Sequence, residues 1–114
     1  MAPTQIVHHP TFSKQVKRLK KRFRSIENDV AKAEQAIKVN PRFQTRVQGY
    51  GSLEVYKIRV VCSDIPHGRS KGYRIYYLYQ PEIPKVTFLT IYHKSDRADV
   101  NTKQIKQLIE GLDQ

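Results

Sequence analysis

The sequence predicts an α+β fold, a single domain over residues 1–114 with an antiparallel-dominated sheet, an N-terminal helical hairpin packed on one face and a short C-terminal helix. Three observations predict it. Apolar residues recur at helical spacing from Phe12 to Ile37, the period shortens to two between Leu53 and Tyr92, and Ile105, Leu108 and Ile109 return to helical spacing. A chain of 114 residues supports one modest hydrophobic core.

Taken in order, Gln5–His8 is a short first strand closed by Pro10. Phe12, Val16, Leu19 and Phe23 then fall at i, i+4, i+7 and i+11, one face of a helix whose other faces carry Lys14, Lys17, Arg18, Lys20, Lys21, Arg22 and Arg24. Ser25 is placed to cap a second helix, with Glu27 and Asp29 near its positive end. Ile26, Val30, Ala33 and Ile37 give that helix its apolar stripe, and Asn40-Pro41 stops it because the residue before proline avoids the helical region. Leu53–Val61 and Gly72–Gln80 read as strands separated by the polar loop SDIPHGRSKG. QPEIP turns the chain into a third strand, Val86–Tyr92, and the polar HKSDRADVN leads to the last helix. Strands joined by short links form an antiparallel sheet.

Charge narrows the function. Lys and Arg number 21 against 10 acids, a net +11, which attracts RNA, DNA, ribosomal surfaces, anionic lipid or an acidic protein. The lone Cys62 excludes an internal disulfide and fits a reducing compartment. No apolar run approaches the ~20 residues of a membrane helix, and MAPTQIVHHP has no signal-peptide core. The expectation is a soluble cytoplasmic protein without a membrane partner. His8, His9, Cys62 and His67 match no zinc spacing, and GRSKG lacks the ending of a phosphate loop, so no metal or other cofactor is expected.

Strand alternation places Lys57 and Arg59 on one face and Ile58 and Val60 on the other. In the next strand Arg74 shares a face with Tyr76, and Ile75 with Tyr77. The consistent arrangement puts the apolar set under the helices and Lys57, Arg59 and Arg74 on an open face, with Tyr92, His93 and Lys94 at the end of the last strand. Cations take phosphates and aromatic rings take bases, so this face suits a single-stranded nucleic acid. No carboxylate cluster is expected there: Asp96 and Asp99 lie in the following loop, and Glu54 points away from Lys57 and Arg59.

The stretches PTFSKQVKRLKK, YKIRV, GRSKGYRIYYLY and FLTIYHKSDRADV, in this order and spacing, resemble the RelE/ParE superfamily of bacterial toxins, in particular its RelE-like and HigB-like branch. The resemblance covers most of the chain. It implies a RelE-like fold and a metal-independent ribonuclease that cuts mRNA in the ribosomal A site. In that reaction the 2′-hydroxyl attacks the adjacent phosphorus, leaving a cyclic phosphate and a 5′-hydroxyl. It also implies three partners: an acidic antitoxin that inhibits the toxin, the ribosome, and mRNA.

The family's roles fall on Lys57, Arg59, Arg74, Tyr92 and His93. Lys57, crowded by Arg59 and Arg74, is either the base or a charged clamp, and Arg74, planar and permanently charged, suits the phosphate. Tyr92 stacks on a base or assists proton transfer, and His93 is a candidate for acid–base work. Arg69, Lys71, Tyr76 and Lys94 are expected to contact RNA, as are Lys17, Lys20 and Lys21 on the first helix. Arg59 stands where some RelE proteins carry a second lysine, and no tyrosine follows Tyr92, so the identity of the base stays open. Two other readings remain: a ParE-like gyrase inhibitor without nuclease activity, and a non-catalytic RNA-binding module.

Overall fold

The computed structural model describes residues 3–64 and 72–112. Its elements are β1 (Gln5–His8), α1 (Pro10–Leu19), α2 (Ile26–Val39), β2 (Thr45–Arg46), β3 (Glu54–Val60), β4 (Tyr73–Gln80), β5 (Lys85–His93) and α3 (Thr102–Glu110). The expected order of strands and helices is present, with the two-residue β2 in addition. Arg69, Lys71 and His67 lie outside the described residues. No helix among the described residues is long and apolar enough to cross a membrane.

The five strands form one sheet in the order β1-β5-β4-β3-β2. β3, β4 and β5 run as an antiparallel meander, and β2 joins β3 antiparallel. The sheet is nevertheless mixed, because β1 pairs parallel with β5. The helical hairpin between β1 and the meander carries the chain across the sheet, which is the long connection that parallel neighbours need.

Local chemistry sets the helix ends. Pro10 opens α1 rather than closing β1: its missing N–H costs nothing at the first helical position, and the His9 ring accepts a hydrogen bond from the Thr11 amide at 3.0 Å. α1 stops at Leu19, short of Phe23, where the Arg22 and Phe23 amides both turn back to the Leu19 carbonyl at 2.9 Å. Phe23 is still buried, but from the turn and not from the helix. Ser25 precedes α2 without capping it; its amide and hydroxyl both donate to Asp64, tying the helix start to the chain beyond β3.

Packing divides the sheet between two sets of apolar side chains. Under α1 and α2, Phe12, Ile26, Val30 and Ile37 meet Ile58, Ile75, Tyr77 and Phe88. On the other face Ile105 of α3 joins Val55, Tyr76, Leu78, Leu89 and Tyr92. The face expected to be open is thus partly roofed by α3. A bulge makes this possible: Tyr76 pairs with Thr90 and Tyr77 with Phe88, so Leu89 is the extra residue and turns into the α3 cluster.

Gly72 sits where the chain enters β4 and is buried. A Cβ there would lie 2.2 Å from the Val60 carbonyl oxygen, a backbone atom that cannot move alone. Gly72→Ala is expected to lower stability by about 1–3 kcal/mol or more, read as a reduced urea midpoint; an unchanged midpoint would contradict this packing.

Candidate active site

Register builds the site. Arg59 of β3, Arg74 of β4 and Tyr92 of β5 stand directly across from one another, and Lys57 stands across from Tyr76 in the next row. Side chains so paired lie about 5 Å apart at Cβ. The three cations therefore share one face, as alternation predicts, next to the α3 cluster. Arg59 is exposed, Lys57 is half-buried and Arg74 is only 4% exposed. The Arg74 guanidinium donates from Nη1 to the Tyr73 carbonyl at 3.1 Å. Burial first, then the neighbouring Arg59 charge, pushes its pKa below the usual arginine value.

The sequence reading missed Asp99. It lies in the loop between β5 and α3, and four donors converge on its Oδ1. The Val100 amide approaches to 2.8 Å, the Tyr92 hydroxyl to 3.4 Å and the Lys57 ammonium to 3.6 Å, and the Tyr76 hydroxyl donates to the same oxygen. Partial burial raises the pKa of the carboxyl, but the Tyr76, Val100, Lys57 and Tyr92 contacts outweigh it, and the net direction is down. Oδ2 has no hydrogen-bond partner among the described residues. The signal available in the sequence was the capping box of α3, in which Asn101 and Gln104 cap each other's backbone and so fix the chain just after Asp99. Glu54 does stay off this face: Arg42 holds it with two bonds of 2.9 Å and keeps its carboxyl at about 2.

Tyr76 and Tyr92 are 3% and 6% exposed, so neither ring is a platform for a stacked base. Their hydroxyls face Asp99, and Lys57 lies over the Tyr76 ring at 5.6 Å. Burial, followed by the Asp99 charge, pushes the Tyr92 phenol up to about 12. Lys94 is exposed at the rim and reaches the Ala98 carbonyl at 3.4 Å.

His93 is not brought to this face. Adjacent strand residues point to opposite sides, so with Tyr92 on the cationic face His93 enters the α1–α2 core. It is 1% exposed, stacks on Phe23 with centroids 4.5 Å apart, and meets Tyr73 edge-on. Its Nδ1 is 2.6 Å from the Ser95 hydroxyl, and its Nε2 has no partner among the described residues. Lys17, Lys20 and Lys21 are exposed on and just beyond α1, behind the sheet from Lys57, and Lys20 pairs with Glu27 at 2.5 Å. His8 pairs with Glu34, Cys62 is buried against the Tyr73 hydroxyl, and no three His, Cys, Asp or Glu side chains gather into a cation site among the described residues.

The arrangement defines a class: a small α+β protein with a cationic sheet face bordered by a C-terminal helix. No protein-family model matches the chain. Its fold is RelE-like. A mutant of the E. coli toxin RelE in the free state superposes with a TM-score of 0.63 at 16% identity, covering 97% of this chain and 99% of that one. The archaeal RelE–RelB complex from Pyrococcus horikoshii gives 0.57 at 15%, over 84% and 100%. The RelBE2 toxin–antitoxin complex from Mycobacterium tuberculosis gives 0.56 at 19%, over 87% and 97%.

Burial, then the nearby Arg22 and Arg74 charges, outweighs Asp96 and holds the His93 pKa below its usual 6.5. The unfolded chain then binds a proton at His93 at a pH where the folded chain does not. This contribution to stability is complete above the unfolded pKa and is lost as pH falls toward the folded one. Urea midpoints are expected to drop from pH 7.5 to pH ~5.5, through the unfolded histidine pKa of about 6.5, and His93→Asn should flatten part of that drop. An equal slope in both proteins would place a charged His93 in the fold.

Proposed function

We propose that this chain is the toxin of a toxin–antitoxin pair, an endoribonuclease that cuts mRNA in the ribosomal A site without a metal, using the substrate's own 2′-hydroxyl. The observation that carries the reading is the row Arg59, Arg74 and Tyr92, with Lys57 alongside, on one sheet face. The RelE-like fold supports it, since the neighbours are a RelE toxin and two toxin–antitoxin complexes.

The roles follow from chemistry. Attack on phosphorus builds negative charge on the non-bridging oxygens, and fixed cations lower that barrier most when water is partly excluded. Arg74, held by burial and by the Tyr73 carbonyl, is the central phosphoryl contact; Arg59 is the outer one. Lys57, paired with Asp99, serves as a clamp and not as the base. The Tyr92 phenol stays protonated at neutral pH and is the donor for the departing 5′-oxygen. Lys94 lies at the rim for the RNA backbone. The net charge of +11 draws the protein to the ribosome, with Lys17, Lys20 and Lys21 as a second contact surface, and draws an acidic antitoxin.

In a translation extract, wild type is expected to leave mRNA ends at A-site codons by primer extension. Arg74→Ala, with an unchanged circular dichroism spectrum, should lose about 100-fold or more in cleavage. Growth arrest equal to wild type by this variant would remove Arg74 from the site. Cut ends that are absent with wild type would favour a gyrase inhibitor or a non-catalytic RNA binder.

An mRNA with a 2′-O-methyl group at the cut nucleotide should resist the protein, because the nucleophile has lost its proton. Cleavage of that mRNA at the normal rate would end the cyclic-phosphate route.

A further inference from the structure

We propose that Asp99 is the general base of this site, anchored through Oδ1 and presenting Oδ2 to the 2′-hydroxyl of the RNA. The assignment rests on the ribonuclease reading above and supplies the one role that reading leaves unfilled.

Geometry is the argument. A useful base must be ionised, fixed in position and have a lone pair to spare. Asp99 meets all three requirements. The Val100 amide, the Tyr76 and Tyr92 hydroxyls and the Lys57 ammonium take up Oδ1 and leave Oδ2 without a partner among the described residues. The side chain is 58% exposed and borders a shallow concavity of about 630 Å³ shared with Arg97, Val100, Asn101 and Gln104. The Arg59–Arg74 pair stands on the same sheet face, one row from the Lys57–Tyr76 pair. Asp99 is bound to Tyr92 of that row and to Tyr76 of the next, two residues along β4 from Arg74, a separation of about 6.6 Å.

The competing bases are poorly placed. Lys57 spends its ammonium on Asp99 and on the Tyr76 ring. His93 is on the other side of the sheet. Oδ2 takes the 2′-hydroxyl proton, the 2′-oxygen bonds to phosphorus, the bond from phosphorus to the 5′-oxygen breaks, and the Tyr92 hydroxyl turns from its 3.4 Å contact with Asp99 to give that oxygen its proton. Asp99 then returns its proton to solvent, and Tyr92 recovers one from it.

Asp99→Asn tests the assignment, since the amide keeps an oxygen for the Val100 and Tyr76 donors but cannot accept the proton. Single-turnover cleavage on programmed ribosomes is expected to fall about 100-fold or more at saturating ribosome, with ribosome affinity and the circular dichroism spectrum unchanged. Asp99→Glu should retain an intermediate rate, and formate should restore part of the rate to Asp99→Ala, which covers the case of a misfolded Asn variant. An mRNA with sulfur in place of the bridging 5′-oxygen leaves without a proton; it should rescue Tyr92→Phe and not Asp99→Asn. If wild type cuts and Asp99→Asn cuts within about threefold of it, far short of a lost base, this assignment alone fails. It also fails if the sulfur substrate rescues Asp99→Asn, or if the loss is one of ribosome affinity. If wild type leaves mRNA intact, the ribonuclease reading itself fails and takes the assignment with it.

Discussion

The burial of Arg74 in the central strand is the constraint around which the molecule is arranged. β4 is covered by α1 and α2 on one face and partly by α3 on the other, and all its residues from Tyr73 to Leu78 are buried. Placing a permanent cation in such a strand costs several kcal/mol in desolvation, roughly, unless polar groups meet it. Its Nη1 donates to the Tyr73 carbonyl on its own strand, and directly across on β3 stands a second arginine. Like charges placed opposite each other in a sheet destabilise it. Burial and the facing Arg59 charge both push the Arg74 pKa down, and under the proposed function a bound phosphate would offset that charge.

α3 links this constraint to the rest of the site. Ile105 anchors the helix against Leu78, Leu89 and Tyr92, and the Asn101–Gln104 capping box fixes where it begins. Asp99, two residues earlier, is then delivered to Lys57, Tyr76 and Tyr92. The bulge at Leu89 is part of the same construction, because it turns an extra apolar residue toward α3 without disturbing Ile91 on the other face. Roof, bulge and carboxylate depend on one another through packing that is unrelated to phosphate chemistry.

Much of this was legible in the sequence because it is local. Phe12 to Ile37 shows the helical hairpin by spacing, Asn40-Pro41 shows its end, and alternation in 53–61 and 72–80 puts Lys57, Arg59 and Arg74 on one face. What escaped is set by contacts between distant segments. The parallel pairing of β1 with β5 has no local signature, and β2, two residues long, has no period. The partial cover of the cationic face required α3 to choose a side, and Asp99 entered the site only with it. His93 is a different case: alternation already separates it from Tyr92, so its place in the core could have been read from the strand. The end of α1 at Leu19 was hidden because Phe23 stays buried from the turn, keeping the helical spacing after the helix has ended.

The division between the two faces bears on function. The fold demands apolar residues at Ile58, Ile75 and Ile91, which form one cross-strand row under the helices. It makes no demand for charge at Lys57, Arg59 and Arg74, and at Arg74 it opposes charge. A merely solubilising lysine belongs at an edge, where water keeps its hydration intact; Arg74 is in the central strand and 4% exposed. A buried cation opposite a second cation and in a row with a buried phenol breaks the local rule for a central strand, and the proposed phosphate contact is the function that would account for it.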